Sequence, residues 1–226
     1  MIYMKVKTLT LTLVPDRKVG TNASKLRGFF ATRFNEYTLL HQHNCDKVIY
    51  MYPLVQYKIL KGIPLVFGIN EGVEVLQEIF NKYEKIELGE STYEILEKKI
   101  SLKEQDFGIS DKFHTYRFET PWFALNQENF TDKYKRADFT EKKELLRKTL
   151  VGNILSISKS LGYTVPEKIK CEINLHPSSS RMKGVEIAIF KGEFMVNFLI
   201  PDYFGLGKSV SRGFGTVRKW TGKNKT

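Results

Sequence analysis

The stretch that decides the fold is MKVKTLTLTLVPDRKVGTNASKLRGFFATRFNEY, residues 4–37. Its first part alternates, with Leu9, Leu11 and Leu13 on one side and threonines on the other, which is the pattern of a half-buried strand. After Asn22, a residue type that caps helices, the apolar positions recur at helical spacing instead. The stretch therefore predicts a strand that leads into an amphipathic helix.

The segments that follow complete one supersecondary unit. Residues 47–69 predict two strands joined by a tight turn, and residues 70–83 predict a helix that Asn70 can cap. Residues 92–102 alternate again as a strand. The resulting order, β-α-β-β-α-β, is that of the ferredoxin-like or split βαβ unit. We therefore expect an N-terminal ferredoxin-like domain over residues 1–105.

The second half, residues 106–226, resembles a degenerate repeat of the first. Strand-like residues 113–125 precede the longest predicted helix, which Asp138 or Thr140 can cap and Gly162 ends. Three predicted strands come next, and a glycine-rich loop stands where the last helix of the unit would be. The fold class we predict is α+β, with two tandem ferredoxin-like (RRM-like) domains and a C-terminal Gly-rich loop. The three strands are expected over residues 168–176, 181–192 and 193–201.

The charge of the chain indicates an anionic partner. Lysines and arginines number 36 against 25 aspartates and glutamates, a net charge of +11, and from Arg181 onward nine basic residues face three acidic ones. Such an excess points most often to nucleic acid. Cys45 and Cys171 lie far apart without zinc-type spacing, and no apolar run reaches the ~20 residues of a membrane span. We expect a cytoplasmic protein without metal, cofactor or membrane segment.

The loop GLGKSVSRGFGTV, residues 205–217, contains four glycines and a GKS triplet. A phosphate-binding P-loop would require a further glycine at the position of Asp202, whose negative charge would repel phosphate. Two interpretations stay open. The loop is either a flexible basic element whose backbone N–H groups approach phosphates, or a plain glycine-rich turn.

Two histidines, His41 and His43, stand close together in the segment HQHNC. Because histidine titrates at about pH 6.5, a pair can hold one neutral base and one protonated acid near neutrality. RNA carries its own nucleophile, the 2′-hydroxyl, so such a pair with a cation at the phosphate suffices for strand cleavage without a metal. The pair could instead be metal ligands, for which the remaining ligands are not evident, or plain surface histidines.

These features together resemble a known family. The tandem halves, the segment LRGFFA, the H-x-H, the blocks YPLVQYKI and GIPLVFGINEGVEVL, and the terminal glycine loop are similar to CRISPR-associated endoribonucleases that process precursor crRNA. These enzymes belong to the RAMP superfamily, and the nearest branch serves type I-B systems. The likeness extends over essentially the whole chain. Its most general mark is the G-x-G-x(5)-G-x-G pattern of the loop.

The resemblance implies a metal-independent endonuclease of antiviral defence that cuts CRISPR repeats by 2′-hydroxyl attack, leaving 5′-hydroxyl and 2′,3′-cyclic phosphate ends. It assigns catalytic roles to His41, His43 and the downstream Tyr50, without deciding which histidine is the base. A lysine is expected on the preceding helix, where this chain has Arg33, and Lys25 lies two turns further back. The phosphate-stabilising cation therefore stays open between Arg33 and Lys25.

The resemblance also implies the partners. CRISPR repeat RNA or crRNA is expected, and a CRISPR effector complex and a homodimer, which some members form on RNA, are further candidates. The alternative function is a non-catalytic RAMP subunit that only holds crRNA in an effector complex and has no need of the histidines. An unrelated RRM protein is disfavoured, because no RNP-like strand is present. The expected RNA-binding residues are Lys25, Arg181, Lys183, Gly205, Gly207, Lys208, Arg212, Gly213 and Gly215.

Overall fold

A computed structural model gives the structure of residues 3–41, 43–44, 47–48, 51–182 and 184–222. At residues 41, 43–44, 47–48, 182 and 185 it describes the backbone only. The chain divides into two compact units. The N-terminal unit is Lys5–Gln105 with Val210–Gly213, and the C-terminal unit is Asp106–Ser209 with Met1–Met4 and Phe214–Thr226.

The N-terminal unit has the ferredoxin-like order of strands and helices. Its elements are β1 (Tyr3–Pro15), α1 (Ala23–Arg33), α2 (Thr38–His41), β2 (His43–Asn44), β3 (Lys47–Val48), β4 (Val55–Leu60), β5 (Ile63–Ile69), α3 (Glu71–Ile79), β6 (Lys85–Leu88) and β7 (Ser91–Phe118). The main sheet runs β4–β5–β1–β7. Val66 of β5 pairs antiparallel with Tyr57 of β4 on one side and with Leu11 of β1 on the other. Strand β6 forms a hairpin with the start of β7, and β2 pairs with β3.

The local patterns of the first stretch are confirmed. Leu9, Leu11 and Leu13 of β1 are fully buried in the core of this unit. Helix α1 begins after Asn22, whose side-chain oxygen accepts a hydrogen bond from the N–H of Ser24 at 3.1 Å. The alternation thus buries one side of the strand, and the cap fixes the start of the helix that covers it.

Asn70 does not cap α3, contrary to the prediction. Its side-chain oxygen accepts the backbone N–H of Lys7 on β1 at 3.2 Å, and its own backbone has a φ of 47°. Asparagine tolerates this left-handed conformation, so the residue closes the turn between β5 and α3 and ties it to the neighbouring strand. Helix α3 still begins at Glu71, and Glu71 and Glu74 place negative charge in its first turn.

The C-terminal unit repeats this order with one helix missing. After the second part of β7 come a π-helical turn (Asn129–Tyr134), α4 (Phe139–Ser160), β8 (Cys171–Met182), β9 (Val185–Leu199) and β10 (Val217–Lys219). The strands run β10–β7–β9–β8, and the glycine loop connects β9 to β10 in place of a helix. Asp138 and Glu141 form a capping box at the start of α4. Within the described residues, no helix has both the length and the apolar character needed to cross a membrane.

Two long strands replace the three that the sequence predicts in this unit. Strands β8 and β9 form one continuous hairpin, paired as far as Met182 and Val185. Gly192, the expected end of a strand, lies inside β9, where any side chain would collide with the carbonyl oxygen of Asn174 on β8. The glycine therefore permits a close approach of the two strands rather than a break between them.

Candidate functional site

The H-x-H pair lies at the end of a short helical segment in the N-terminal unit. His41 is the last residue of α2, and His43 begins β2, where its backbone pairs with Val48 of β3. The structure describes only the backbone at these two histidines, and Tyr50 lies outside the described residues. The backbone thus brings His41 and His43 to one turn between α2 and the β2–β3 ladder.

Two tyrosines hold α2 against the rest of the unit. Tyr57 of β4 is fully buried and donates its hydroxyl to the carbonyl of Leu40 at 3.2 Å, immediately before His41. The backbone carbonyl of Tyr37 accepts a hydrogen bond from the N–H of Leu40. The side-chain hydroxyl of Tyr37 donates to the carboxylate of Glu78 on α3 at 2.7 Å. Burial raises the pKa of Tyr57 far above its ordinary value, so this hydroxyl remains a donor. Nothing in the block YPLVQYKI distinguished Tyr57 from an ordinary core aromatic residue.

Lys25 and Arg33, the two candidate cations, line one depression beside α1. The depression is about 470 Å³ in volume, lies between α1 and β6, and also includes Lys85. Arg33 is exposed and donates from Nη2 to the carbonyl of Lys82 at 2.9 Å, which fixes its side chain near the end of the helix. Lys25 lies roughly 12 Å earlier along the helix axis. Both therefore remain candidates on the same face of α1.

The other flank of α1 carries Arg27, which lies beside the glycine loop. Burial lowers the pKa of Arg27, and the nearby positive charge of Arg212 lowers it further. A side-chain carbon at Gly213 would lie 2.7 Å from Cβ of Ala23 on α1 and 3.2 Å from the carbonyl oxygen of Tyr57, so glycine lets the loop come this close. Two guanidinium groups near enough to affect each other's pKa attract phosphate.

Arg27, like Tyr57, is a residue of this site that the sequence did not single out. Its signal was its helical position, next to the buried Leu26 and one turn before the buried Phe30. A charged residue at the border of an apolar helix face can reach a neighbouring element. Which element it meets depends on where residues 210–213 pack, and they belong to the same unit as α1.

The remaining residues of the glycine loop belong to the C-terminal unit. Gly205 and Gly215 are buried, and Gly207 is half-buried. Lys208 donates its backbone N–H to the carbonyl of Phe123 at 2.9 Å, while its side chain is exposed. Backbone packing thus holds this part of the loop, with the charge of Lys208 turned to solvent.

The other expected RNA-binding residues lie at the β8–β9 hairpin. Arg181 is exposed near the tip of the hairpin, opposite Glu186 in the strand register. Lys183 lies outside the described residues. Among the contacts of the described residues, none joins Arg181 to the glycine loop.

Comparison with known proteins identifies the family. Residues 4–106 match the Cas6b N-terminal domain, and residues 108–220 match the Cas6b C-terminal domain. A crystal structure of Cas6b is 38% identical with a TM-score of 0.89, covering 96% of this chain and 100% of that one. A crystal structure of the CRISPR RNA processing endoribonuclease Cas6b is 37% identical with a TM-score of 0.77, at the same coverage. An uncharacterized protein of Methanocaldococcus jannaschii is 43% identical over 141 residues, which are 62% of this chain and 95% of that protein. The chain belongs to the Cas6b family.

Proposed function

We propose that this chain is a metal-independent endoribonuclease that cleaves precursor crRNA within CRISPR repeats. The observation that carries the proposal is the match to both Cas6b domains along almost the whole chain, joined to the 37% identity with a CRISPR RNA processing endoribonuclease. The site geometry is compatible with it. The H-x-H turn lies at the end of α2, the next helix along the chain after α1, and α1 carries cations on both flanks.

The chemistry needs a base, an acid and a cation. The base removes the proton of the 2′-hydroxyl, and the freed oxygen attacks the adjacent phosphorus. The bond from phosphorus to the 5′-oxygen then breaks, and the acid protonates that oxygen. The products are a 2′,3′-cyclic phosphate and a 5′-hydroxyl. His41 and His43 supply base and acid, since one can be neutral and the other protonated near neutrality.

The remaining groups position and stabilise. Because a tyrosine hydroxyl in water keeps its proton up to a pH of about 10, Tyr50 is assigned the role of a hydrogen-bond donor rather than that of the base. The phosphate gains negative charge in the transition state, and Arg33 or Lys25 stabilises it electrostatically. Arginine is always charged and bidentate, so Arg33 suits this role without proton transfer.

CRISPR repeat RNA is the partner we propose, in the cytoplasm where RNA substrates occur. Arg212 and Lys208 would neutralise its phosphates, and Lys25, Arg181 and Lys183 would each supply a further phosphate contact. A crRNA effector complex and an RNA-bound homodimer are the further partners, and light scattering of the protein with and without repeat RNA measures the second. The loop glycines 205, 207, 213 and 215 would serve RNA binding indirectly, because they let the loop pack closely against the protein and so hold Lys208 and Arg212 in place.

One experiment tests the cleavage. Repeat RNA is incubated with the protein in EDTA, and in parallel with the same RNA carrying a 2′-deoxy sugar at the scissile nucleotide. We expect cleavage in EDTA, with a cyclic phosphate at the 3′ end, and no cut at the deoxy position. Binding without cleavage of any repeat RNA would instead support a crRNA-holding subunit.

A further inference from the structure

The C-terminal unit contains two adjoining depressions that the proposed catalytic chemistry does not use. One, about 490 Å³ in volume, lies between the π-helical turn and the β8–β9 hairpin. The other, about 480 Å³, lies between the start of α4 and β8. Tyr134 and Pro177 line both depressions, so they adjoin. Together they form the aromatic–lysine groove, defined by Phe130, Tyr134, Lys135, Phe139, Lys142 and Lys143.

Three aromatic rings line this groove. Phe139 is 83% exposed, so an apolar ring stands in water at the start of α4. Phe130 and Tyr134 stack with centroids 5.8 Å apart and an interplanar angle of 22°. Tyr134 also packs edge-on against the buried Phe190, with centroids 5.4 Å apart. The core thus holds the rings of Phe130 and Tyr134 in fixed orientations, next to the solvent-exposed ring of Phe139. Exposed aromatic rings are surfaces on which nucleotide bases stack.

Lysines accompany the rings. Nζ of Lys135 lies 5.1 Å from the centroid of Phe130, and Nζ of Lys142 lies 5.6 Å from the centroid of Tyr134. Lys143 lines the depression beside α4, whose described lining residues include no carboxylate, and Glu186 is the carboxylate among the residues that line the other depression. The groove therefore places positive charge next to aromatic faces, which complements the phosphate and the base of one nucleotide.

We propose that the aromatic–lysine groove binds an unpaired stretch of RNA. Bases stack on the rings, phosphates pair with the lysines, and Asn174 and His176 on the β8 side offer hydrogen bonds to base edges. A protein partner fits this surface less well, because lysine is depleted in protein–protein interfaces. That the bound strand belongs to CRISPR repeat RNA rests on the proposed function. The binding of single-stranded RNA by the groove does not.

The test measures binding apart from cleavage. A labelled oligouridylate of about 12 nucleotides, within the range that single-stranded binding folds cover, is titrated with the full chain by fluorescence anisotropy. The groove variant is Phe139→Ala with Lys142→Gln and Lys143→Gln. We expect its Kd to rise roughly tenfold or more through lost stacking and charge. The dependence of log Kd on log salt concentration, the salt slope, should become shallower by about 1.4. Each phosphate contact on a single strand contributes about 0.7, and the variant lacks two lysines.

Matched variants keep the result interpretable. Phe113 is 47% exposed on β7 and follows the exposed Lys112, so Lys112→Gln with Phe113→Ala removes similar groups elsewhere in the same unit. Its Kd should equal that of the wild type. The pair Lys142→Gln and Lys143→Gln alone, both solvent-accessible, should give the slope change without the stacking loss, and thermal melting checks that every variant folds. Photo-crosslinking of a 4-thiouridine oligonucleotide should map to the peptide that contains Phe139.

The outcomes separate the two proposals. Wild-type affinity in the groove variant, or crosslinks that avoid this peptide, would overturn the groove as an RNA site. If the wild type cuts no repeat RNA but the groove variant loses oligouridylate binding, the groove stands and the cleavage proposal fails. If the groove variant cuts repeat RNA with its flanking unpaired nucleotides more slowly than the wild type, but cuts the RNA without them at the same rate, the groove acts on those nucleotides and not on the catalytic step.

Discussion

Arg212 of the glycine loop lies beside Arg27 of α1, and the charge of Arg212 adds to burial in lowering the pKa of Arg27. Like charges placed together cost free energy in the free protein, and an anion that enters between them relieves this cost. Both residues belong to the N-terminal unit that also contains the H-x-H turn. We therefore expect this pair to bind one phosphate of the RNA.

Substituting the pair should weaken RNA binding without additivity. Arg27→Gln and Arg212→Gln should each raise the Kd for repeat RNA roughly fivefold, and the double variant little further, because both lose the same phosphate contact. In each of the three variants the salt slope should fall by the amount that corresponds to about one phosphate contact. Filter binding at several salt concentrations measures both, with the exposed Lys99→Gln on β7 as control. Fully additive losses would mean two separate contacts. Arg212→Gln should leave the Tm unchanged or slightly higher, since it removes repulsion.

The histidines should control rate rather than affinity. His41→Ala and His43→Ala should each lower the single-turnover cleavage rate by about 10²–10⁴, the usual contribution of general acid–base catalysis. The Kd for repeat RNA should change by no more than about threefold, because the lost interaction acts in the transition state. Gel-based cleavage under enzyme excess gives the rate, and anisotropy gives the Kd. Wild-type rates in both variants would remove the histidines from the mechanism.

Substitution of Arg33 should affect mainly the cleavage rate, and substitution of Lys25 should affect mainly the affinity for repeat RNA. Arg33→Gln should slow cleavage at least about tenfold, while Arg33→Lys retains most activity, because a cation at the phosphate is what the transition state needs. Lys25→Gln should mainly raise the Kd for repeat RNA. The melting temperature of Arg33→Gln checks the loss of its bond to the Lys82 carbonyl. If Lys25→Gln instead lowers the cleavage rate while Arg33→Gln cleaves at the wild-type rate, the two roles are exchanged.

Lys58 should make the free energy of unfolding depend on pH between about pH 7 and 10.5. It is fully buried on β4, donates from Nζ to Gln56 at 2.9 Å, and burial lowers its pKa from 10.5 to about 7. Between pH 7 and 10.5 the unfolded chain binds more protons at this site than the folded chain, so its contribution to stability rises with pH. Lys58→Met should melt higher than wild type at pH 7, and the difference should shrink toward pH 10. A difference that stays constant with pH would contradict the shift.

Gly213 should be intolerant of a side chain. Its φ is +91°, and a Cβ would lie 2.7 Å from that of Ala23. Gly213→Ala should destabilise the fold by about 1–3 kcal/mol and weaken RNA binding, because it pushes Arg212 away from α1. Gly152→Ala is the matched control. Gly152 lies exposed within α4 with open space around it, and alanine there should stabilise by about 0.5–1 kcal/mol. Chemical denaturation of both variants compares them, and equal stabilities would contradict the close packing.

Local patterns predicted the elements well, because each depends on residues near one another in the chain. The alternation at residues 4–15 and the cap at Asn22 specify a strand and a helix whatever they pack against. Asn70 failed as a cap because its partner, Lys7, lies on another strand. Gly192 failed as a strand end because its reason is the close approach of β8, which the sequence around it does not show.

The amino-acid sequence by itself determined the α+β order of elements, the excess of positive charge, and the nearness of His41 to His43, since periodicity, composition and spacing are properties of adjacent residues. Only the tertiary structure decided which side chains meet. The hydroxyl of Tyr57 donates to the carbonyl of Leu40, the residue before His41, and residues 210–213 pack near Arg27. The physical reason is that burial and charge proximity, which shift a pKa or create a phosphate site, arise between segments far apart in the chain.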